Sequence, residues 1–226
     1  MVLAVKYVST RGNAPILDFC QVVTTGLATD GGLYVPESWP TVTAAEMQSW
    51  KELSYPELVV EVMAKFVGDT ISRDDLLAMA ERAYSSFTHP AIAPLVQLED
   101  KLWLMELFHG PTLAFKDFAL QFLGQLFDHI LATSGERRTI VGATSGDAGS
   151  AAIEAVRGSE FIDMFMLHPH GRVSEVQRRQ MTTIVGDNVH NLAVDGDFDD
   201  CQGMVKAMFN DLAFRDEMGL SAVNSI

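Results

Sequence analysis

The sequence predicts an α/β chain, a parallel sheet with crossover helices preceded by a smaller, mainly helical segment. Three observations carry that prediction. From Leu95 onward, short β-rich runs alternate with helix-length amphipathic runs, the rhythm of parallel strands joined by helices. Before residue 90 the runs are mostly helical, several of them opened by a residue suited to a helix start. Between the two, His89-Pro90 and Ala93-Pro94 break the periodicity. The expected division is therefore 1–90 and 91–226, the alternative being one continuous domain with a proline-rich loop.

In chain order, residues 2–8 alternate loosely and are rich in β-formers, which predicts a strand. Asp18 is placed to cap a helix through Phe19, Val22 and Val23. Thr29-Asp30-Gly31-Gly32 is a turn, and Leu33-Tyr34-Val35 a short extended piece stopped by Pro36. Thr43 with Glu46 fits a capping box. Ser54, with Pro56 close behind, opens a run to Val67 whose apolar positions Leu58, Val59, Val62, Met63 and Phe66 share a helix face. Ser72 with Asp75 opens another, to Ser86.

Beyond the break, 95–98 and 101–107 read as strands around Glu99-Asp100. Helix 117–132, strand 138–143, helix 148–157 and the apolar strand 161–167 follow. Helix 173–182, strand 189–194, helix 198–215 and a strand start at 220–223 complete the chain. In such sheets ligands sit outside the carboxyl ends of the strands. Lys116 and the 144–150 turn both follow strands, so both are expected at that edge.

Composition narrows the function classes. The chain has 226 residues, 48% of them hydrophobic, enough for a sizeable core. Its formal net charge is −14, from 30 acidic and 16 basic residues, which argues against a nucleic-acid or anionic-membrane surface. An anionic substrate would need a local cluster of donors. Cys20 and Cys201 stand far apart with no C-x-x-C, so no zinc site or redox dithiol is expected, and both read as buried thiols. No signal peptide or membrane-length apolar run is visible, which sets cytoplasmic as the expected location. Asp195, Asp197, Asp199 and Asp200 resemble a metal loop at first glance. They lack the glycine and terminal glutamate of an EF-hand, and read as a solvated helix start, so no metal is expected.

Two segments carry candidate chemistry. The first is His109-Gly110-Pro111-Thr112-Leu113-Ala114-Phe115-Lys116-Asp117-Phe118-Ala119, between a strand-like and a helix-like run. Its one lysine lies near Phe115 and Phe118 with no basic neighbour. An ammonium among apolar groups is poorly hydrated, so its pKa is expected to fall, and such an amine can form a Schiff base. The local alternative is a lysine snorkelling from a helix start. The second segment is the strand 138–143, the turn Thr144-Ser145-Gly146-Asp147-Ala148-Gly149-Ser150 and the helix after it. Glycines admit a ligand to the backbone, and N–H groups at a helix start favour negative charge. No Gly-Lys-Ser/Thr closes the turn, and its glycines are spaced wrongly for G-x-G-x-x-G. A plain tight turn is the alternative.

Taken together, HGPTLAFKDFALQFLG and IVGATSGDAGSAA resemble the threonine synthase family of pyridoxal-phosphate enzymes. The openings around Lys6 to Gly12 and Gly26 to Pro36, and Val223-Asn224-Ser225-Ile226, are similar to further segments of that family. The resemblance implies a tryptophan-synthase-β-like fold (fold type II) with a parallel three-layer sheet. It implies pyridoxal 5'-phosphate as a Schiff base on Lys116 beside Phe115, with Lys116 then a general base at the substrate Cα. It implies O-phospho-L-homoserine as substrate, held by Thr144, Ser145, Gly146 and Asp147, with Asn224 and Ser225 on its phosphate. L-Threonine and phosphate would be the products.

One position departs from the family pattern: threonine is expected after the aspartate, and Ala148 stands there. On their own residues, Asp147 reads as a helix cap, the alternative being that it orients donors; His109 as a turn residue, the alternative a proton shuttle; and Arg178 and Arg179 as solvated helix charges, the alternative that one meets a phosphate. No glycine-rich turn for the cofactor phosphate follows residue 150. The expectation is an N-terminal portion, inactive alone, of a longer enzyme. A related phospho-lyase or dehydratase giving a 2-keto acid, or a non-catalytic fragment, are the alternatives.

Overall fold

The computed structural model describes residues 5–223. β1 (Tyr7–Ser9) pairs antiparallel with β2 (Tyr34–Pro36). Of the expected strand 2–8, residues 2–4 lie outside the described residues, 5 and 6 stand outside β1, and 7 and 8 are within it. The Tyr7 ring enters the core and its hydroxyl donates to the Phe66 carbonyl at 2.8 Å.

α1 (Phe19–Thr25), α2 (Ala44–Ser49), α3 (Tyr55–Val67) and α4 (Arg73–Tyr84) begin at the caps read from the sequence, Asp18, Thr43, Ser54 and Ser72. The first three form reciprocal capping boxes with Gln21, Glu46 and Glu57. Val60, Val67, Leu76 and Met79 pack with Phe19, and also with Phe122 and Leu126 of the long α5 (Asp117–Ser134). One face of α5 therefore belongs to the N-terminal core.

β3 (Leu95–Glu99) and β4 (Leu102–Met105) form an antiparallel hairpin of their own. The run expected over 101–107 shortens to four residues. Neither strand joins the parallel sheet, because strands joined by so short a turn fold back on each other. Every residue of the two strands is exposed, Leu95, Leu98, Trp103 and Met105 by more than half.

The parallel sheet has the order β7-β6-β5-β8, built from β5 (Arg138–Ala143), β6 (Ile162–Pro169), β7 (Val189–Val194) and β8 (Leu220–Ser221). α6 (Asp147–Val156), α7 (Glu175–Thr182) and α8 (Phe198–Asn210) are the crossovers, followed by α9 (Leu212–Glu217). Alternation along the strands sorts the layers. Ile140, Met164 and Met166 face α5, α6 and Met181 of α7. Val141 and Leu167 face Cys201 of α8. The single helix expected over 198–215 is two, because Asp211 turns to extended backbone and caps α9 by accepting from Phe214 N. Cys201 is buried as expected; Cys20 is only half-buried.

Candidate active site

Lys116 ends an irregular loop, 106–116, and stands at the N-cap position of α5. It does not follow directly from a strand of the parallel sheet, as the sequence suggested. The loop nevertheless brings it to the carboxyl end of β5. Its side chain is 19% exposed and its Nζ lies 3.8 Å from Asp147 Oδ1. The same Nζ is 5.8 Å from the Phe115 ring centroid. The Phe115 ring itself is 58% exposed and does not line the cavity described below. Thr88 N donates to the His109 carbonyl at 2.9 Å, and Tyr84 Oη to the Phe118 carbonyl at 2.8 Å, so α4 and the residues after it pin both ends of the loop. Burial pushes the Tyr84 phenol up, which keeps it a neutral donor.

The 144–150 turn is built around Thr144, which is 1% exposed. Its hydroxyl oxygen accepts from Gly146 N at 3.0 Å and Gly149 N at 2.9 Å. The cap reading of Asp147 is corrected. Gly146 occupies the N-cap position with φ +146°, a backbone that side chains rarely adopt, and a Cβ there would sit 2.4 Å from the Gln177 amide. Asp147 is the first helical residue; its Oδ1 accepts from Ala148 N and reaches toward Lys116. Among the described residues, the N–H groups of Ser145 and Asp147 find no acceptor, and they stand at a helix start where anions are favoured.

Lys116, Thr144 and Ser145 line one cavity of about 310 Å³. Leu120, Ala152 and Met166 give it an apolar side, and Gly142, Ala143, Ala148 and Gly149 a wall of small residues. Lys116 is the only cationic side chain on it among the described residues. The donor set suits the aldehyde end of pyridoxal phosphate: a shielded primary amine, an apolar side for a flat ring, and open N–H groups for an anion. Among the described residues it offers no second cation for the cofactor's own phosphate.

Phe198 and Gln202 of α8 also line the cavity and escaped the sequence reading. Their i, i+4 spacing at the start of an amphipathic run was the available signal. Asn224 and Ser225 lie outside the described residues. His109 Nε2 is 2.7 Å from Glu106 Oε2, so the histidine's nearest ionic partner belongs to its own loop. Arg178 and Arg179 pair with Glu175 on α7, as solvated charges do, and together hold that carboxyl down at about 2. Asp197 caps α8, with Asp200 reciprocating. The described residues hold no cluster of metal-binding side chains, and none of their helices is long and apolar enough to cross a membrane.

Comparisons with known proteins identify the family. Residues 6–84 match the family described as threonine synthase N terminus, and residues 87–221 match pyridoxal-phosphate dependent enzyme. A threonine synthase of Pseudomonas aeruginosa is 59% identical over 221 residues, covering 98% of this chain and 47% of that protein. A threonine synthase-like 2 protein of Xenopus laevis is 42% identical, covering 98% of this chain and 47% of that protein. The crystal structure of pyridoxal-phosphate-bound threonine synthase from Brucella melitensis superposes with a TM-score of 0.92 at 52% identity, over 99% of this chain and 48% of that one. The chain spans about half the length of the curated relatives it matches.

Proposed function

The chain belongs to the family of pyridoxal-phosphate dependent enzymes, and from that premise we propose that it supplies the lysine-bearing part of a threonine synthase. The proposed reaction takes O-phospho-L-homoserine and water to L-threonine and phosphate. Phosphate leaves Cγ and water adds at Cβ. When bound, pyridoxal phosphate supplies an electron sink that makes the substrate's Cα proton acidic. Lys116 would hold it through Nζ, while the Phe115 ring stands outside the cavity and takes no part in this proposal.

The chain's own residues do the rest. Lys116 Nζ takes the proton at Cα and returns it in the later steps. Asp147 Oδ1, 3.8 Å from that nitrogen, holds it on the α6 side of the cavity. The Ser145 N–H and hydroxyl, with Gly146, receive the substrate carboxylate at the positive end of α6. Thr144 shapes this cradle, since its oxygen already holds two turn N–H groups. Ala148 contributes no hydroxyl where the family pattern has one. Leu120, Ala152 and Met166 keep water from the reacting carbons. Asn224 and Ser225 are assigned to the substrate's phosphate on resemblance alone. A domain division near residue 90, a place in threonine biosynthesis and a cytoplasmic location are parts of the same proposal.

The observation that carries the reading is Lys116 facing the first turn of α6 within one cavity at the carboxyl end of β5. A second reading is a related phospho-lyase or dehydratase releasing a 2-keto acid, for which the same lysine and cavity would serve. Product analysis separates the two, using a protein of the relatives' full length that carries these residues. L-Threonine and phosphate in equal amounts, abolished by Lys116→Ala, are expected. A 2-keto acid with phosphate would favour the second reading. Turnover that survives Lys116→Ala would remove both.

A further inference from the structure

We propose that Asp117 is a positioning residue: its buried carboxylate fixes the loop before Lys116 and so holds the lysine nitrogen against the start of α6. Asp117 is 0% exposed. Its Oδ2 accepts from Thr112 N at 2.8 Å. Its Oδ1 accepts from the Thr112 hydroxyl at 2.8 Å and from Gln121 Nε2 at 3.2 Å. Gln121 Nε2 also donates to the Ala151 carbonyl in α6 at 3.2 Å, and Gln180 Nε2 of α7 donates to the Thr112 carbonyl at 2.9 Å. One carboxylate thus ties the loop to α5, to α6 and, through Thr112, to α7.

An acid at a first helical turn ordinarily faces solvent and serves the helix dipole. Asp117 instead points back into its own loop, desolvated, with no ion-pair partner among the described residues. Burial of an unpaired carboxylate is costly, and burial pushes this carboxyl above its usual range. The loop has a reason to need it. Leu113, the residue after Thr112, takes a left-handed backbone with φ +63°, a conformation that persists only where its surroundings enforce it. Gly110 closes over the carboxylate so tightly that a Cβ there would lie 2.4 Å from Oδ2. Thr112 and Asp117 therefore clamp the strained turn, and Lys116 leaves the clamp in one direction. The significance of this clamp rests on Lys116 being the cofactor lysine; its geometry does not.

The test needs neither cofactor nor turnover. Zero-length carbodiimide coupling joins an amine to a carboxylate in contact. In the 226-residue chain it should link Lys116 to Asp147, 3.8 Å apart, and Lys65 to Glu46, 2.5 Å apart and remote from the site. Asp117→Asn sets a donor amide against the Thr112 and Gln121 donors. The 116–147 link is then expected to fall about tenfold relative to the 46–65 link, the scale of one lost bond to a charged group. Thr112→Ser should keep the ratio and Thr112→Val lose it, which carries the test if Asp117→Asn does not fold. An unchanged ratio in the folded variants would overturn the proposal. So would a parallel fall of both links with Thr112→Ser no better than Thr112→Val, since that is general loosening. Failure of Lys116 to take up pyridoxal phosphate would strike the proposed function and leave the link ratio untouched.

Discussion

The Thr144 hydroxyl oxygen holds the N–H groups of Gly146 and Gly149, both otherwise orphaned at the start of α6. Thr144→Val keeps the side-chain volume and removes both bonds. A buried donor left without a partner costs about 1–3 kcal/mol, so a loss of about 2 kcal/mol is expected in urea unfolding, with unchanged denaturant dependence. Thr144→Ser should recover most of it. A valine variant as stable as the parent chain would mean that water satisfies those groups. Thr144, Ser145 and Asp147 were all legible as polar residues of one turn. Their division of labour was not. Asp147 looked like the cap because an acid before a helix usually is one; the structure gives that task to Thr144 and turns Asp147 toward Lys116. Asp117 was the larger omission. Its sequence position, first in a helix, predicts a solvated carboxylate, and only the strained loop folding back over it makes it an interior group.

Helices were the most legible elements, since their signals are local. Asp18, Thr43, Ser54 and Ser72 each accept the predicted backbone bond three residues on. What local signals could not convey was how closely elements approach. α5 and α6 meet at Gly124, where a Cβ would lie 2.1 Å from the Ala155 carbonyl oxygen. Gly203, inside α8, has nothing within 4 Å of its Cβ position. Helix propensity favours alanine over glycine by about 1 kcal/mol at either site. At Gly203 nothing opposes it, so Gly203→Ala should raise stability by about that amount. At Gly124 the obstacle is backbone and cannot swing aside; overpacking of this kind costs about 1–3 kcal/mol, so Gly124→Ala should destabilise despite its propensity. Thermal midpoints moving in opposite directions would bear this out, and stabilisation by both would show that α5 and α6 can part without penalty. Two element readings failed for tertiary reasons. The helix expected over 198–215 breaks at Asp211, and β3 with β4 pair with each other outside the parallel sheet.

At the scale of the molecule, five separate stretches line the cavity: Lys116 with the start of α5, the end of β5 with the turn and helix after it, Met166 of β6, the first turns of α8 and Val223. Periodicity announced the parallel sheet, and a sheet of that kind places its ligand at the carboxyl edge. It did not announce Phe198 and Gln202, which reach the cavity only because α8 packs on the opposite face from α5 and α6. The exposed apolar hairpin of β3 and β4 was likewise invisible, since an apolar strand run predicts burial. The cavity's chemistry turns on one nitrogen among six lysines, Lys6, Lys51, Lys65, Lys101, Lys116 and Lys206. The most direct measurement is borohydride trapping of pyridoxal phosphate on the purified chain, followed by peptide mapping of each lysine. Label concentrated on Lys116, and displaced by excess unreactive cofactor analogue, is the expected result even where binding is weak. Label spread evenly over the exposed lysines, with Lys116 no more reactive than Lys101, would contradict the assignment of this cavity as the cofactor site.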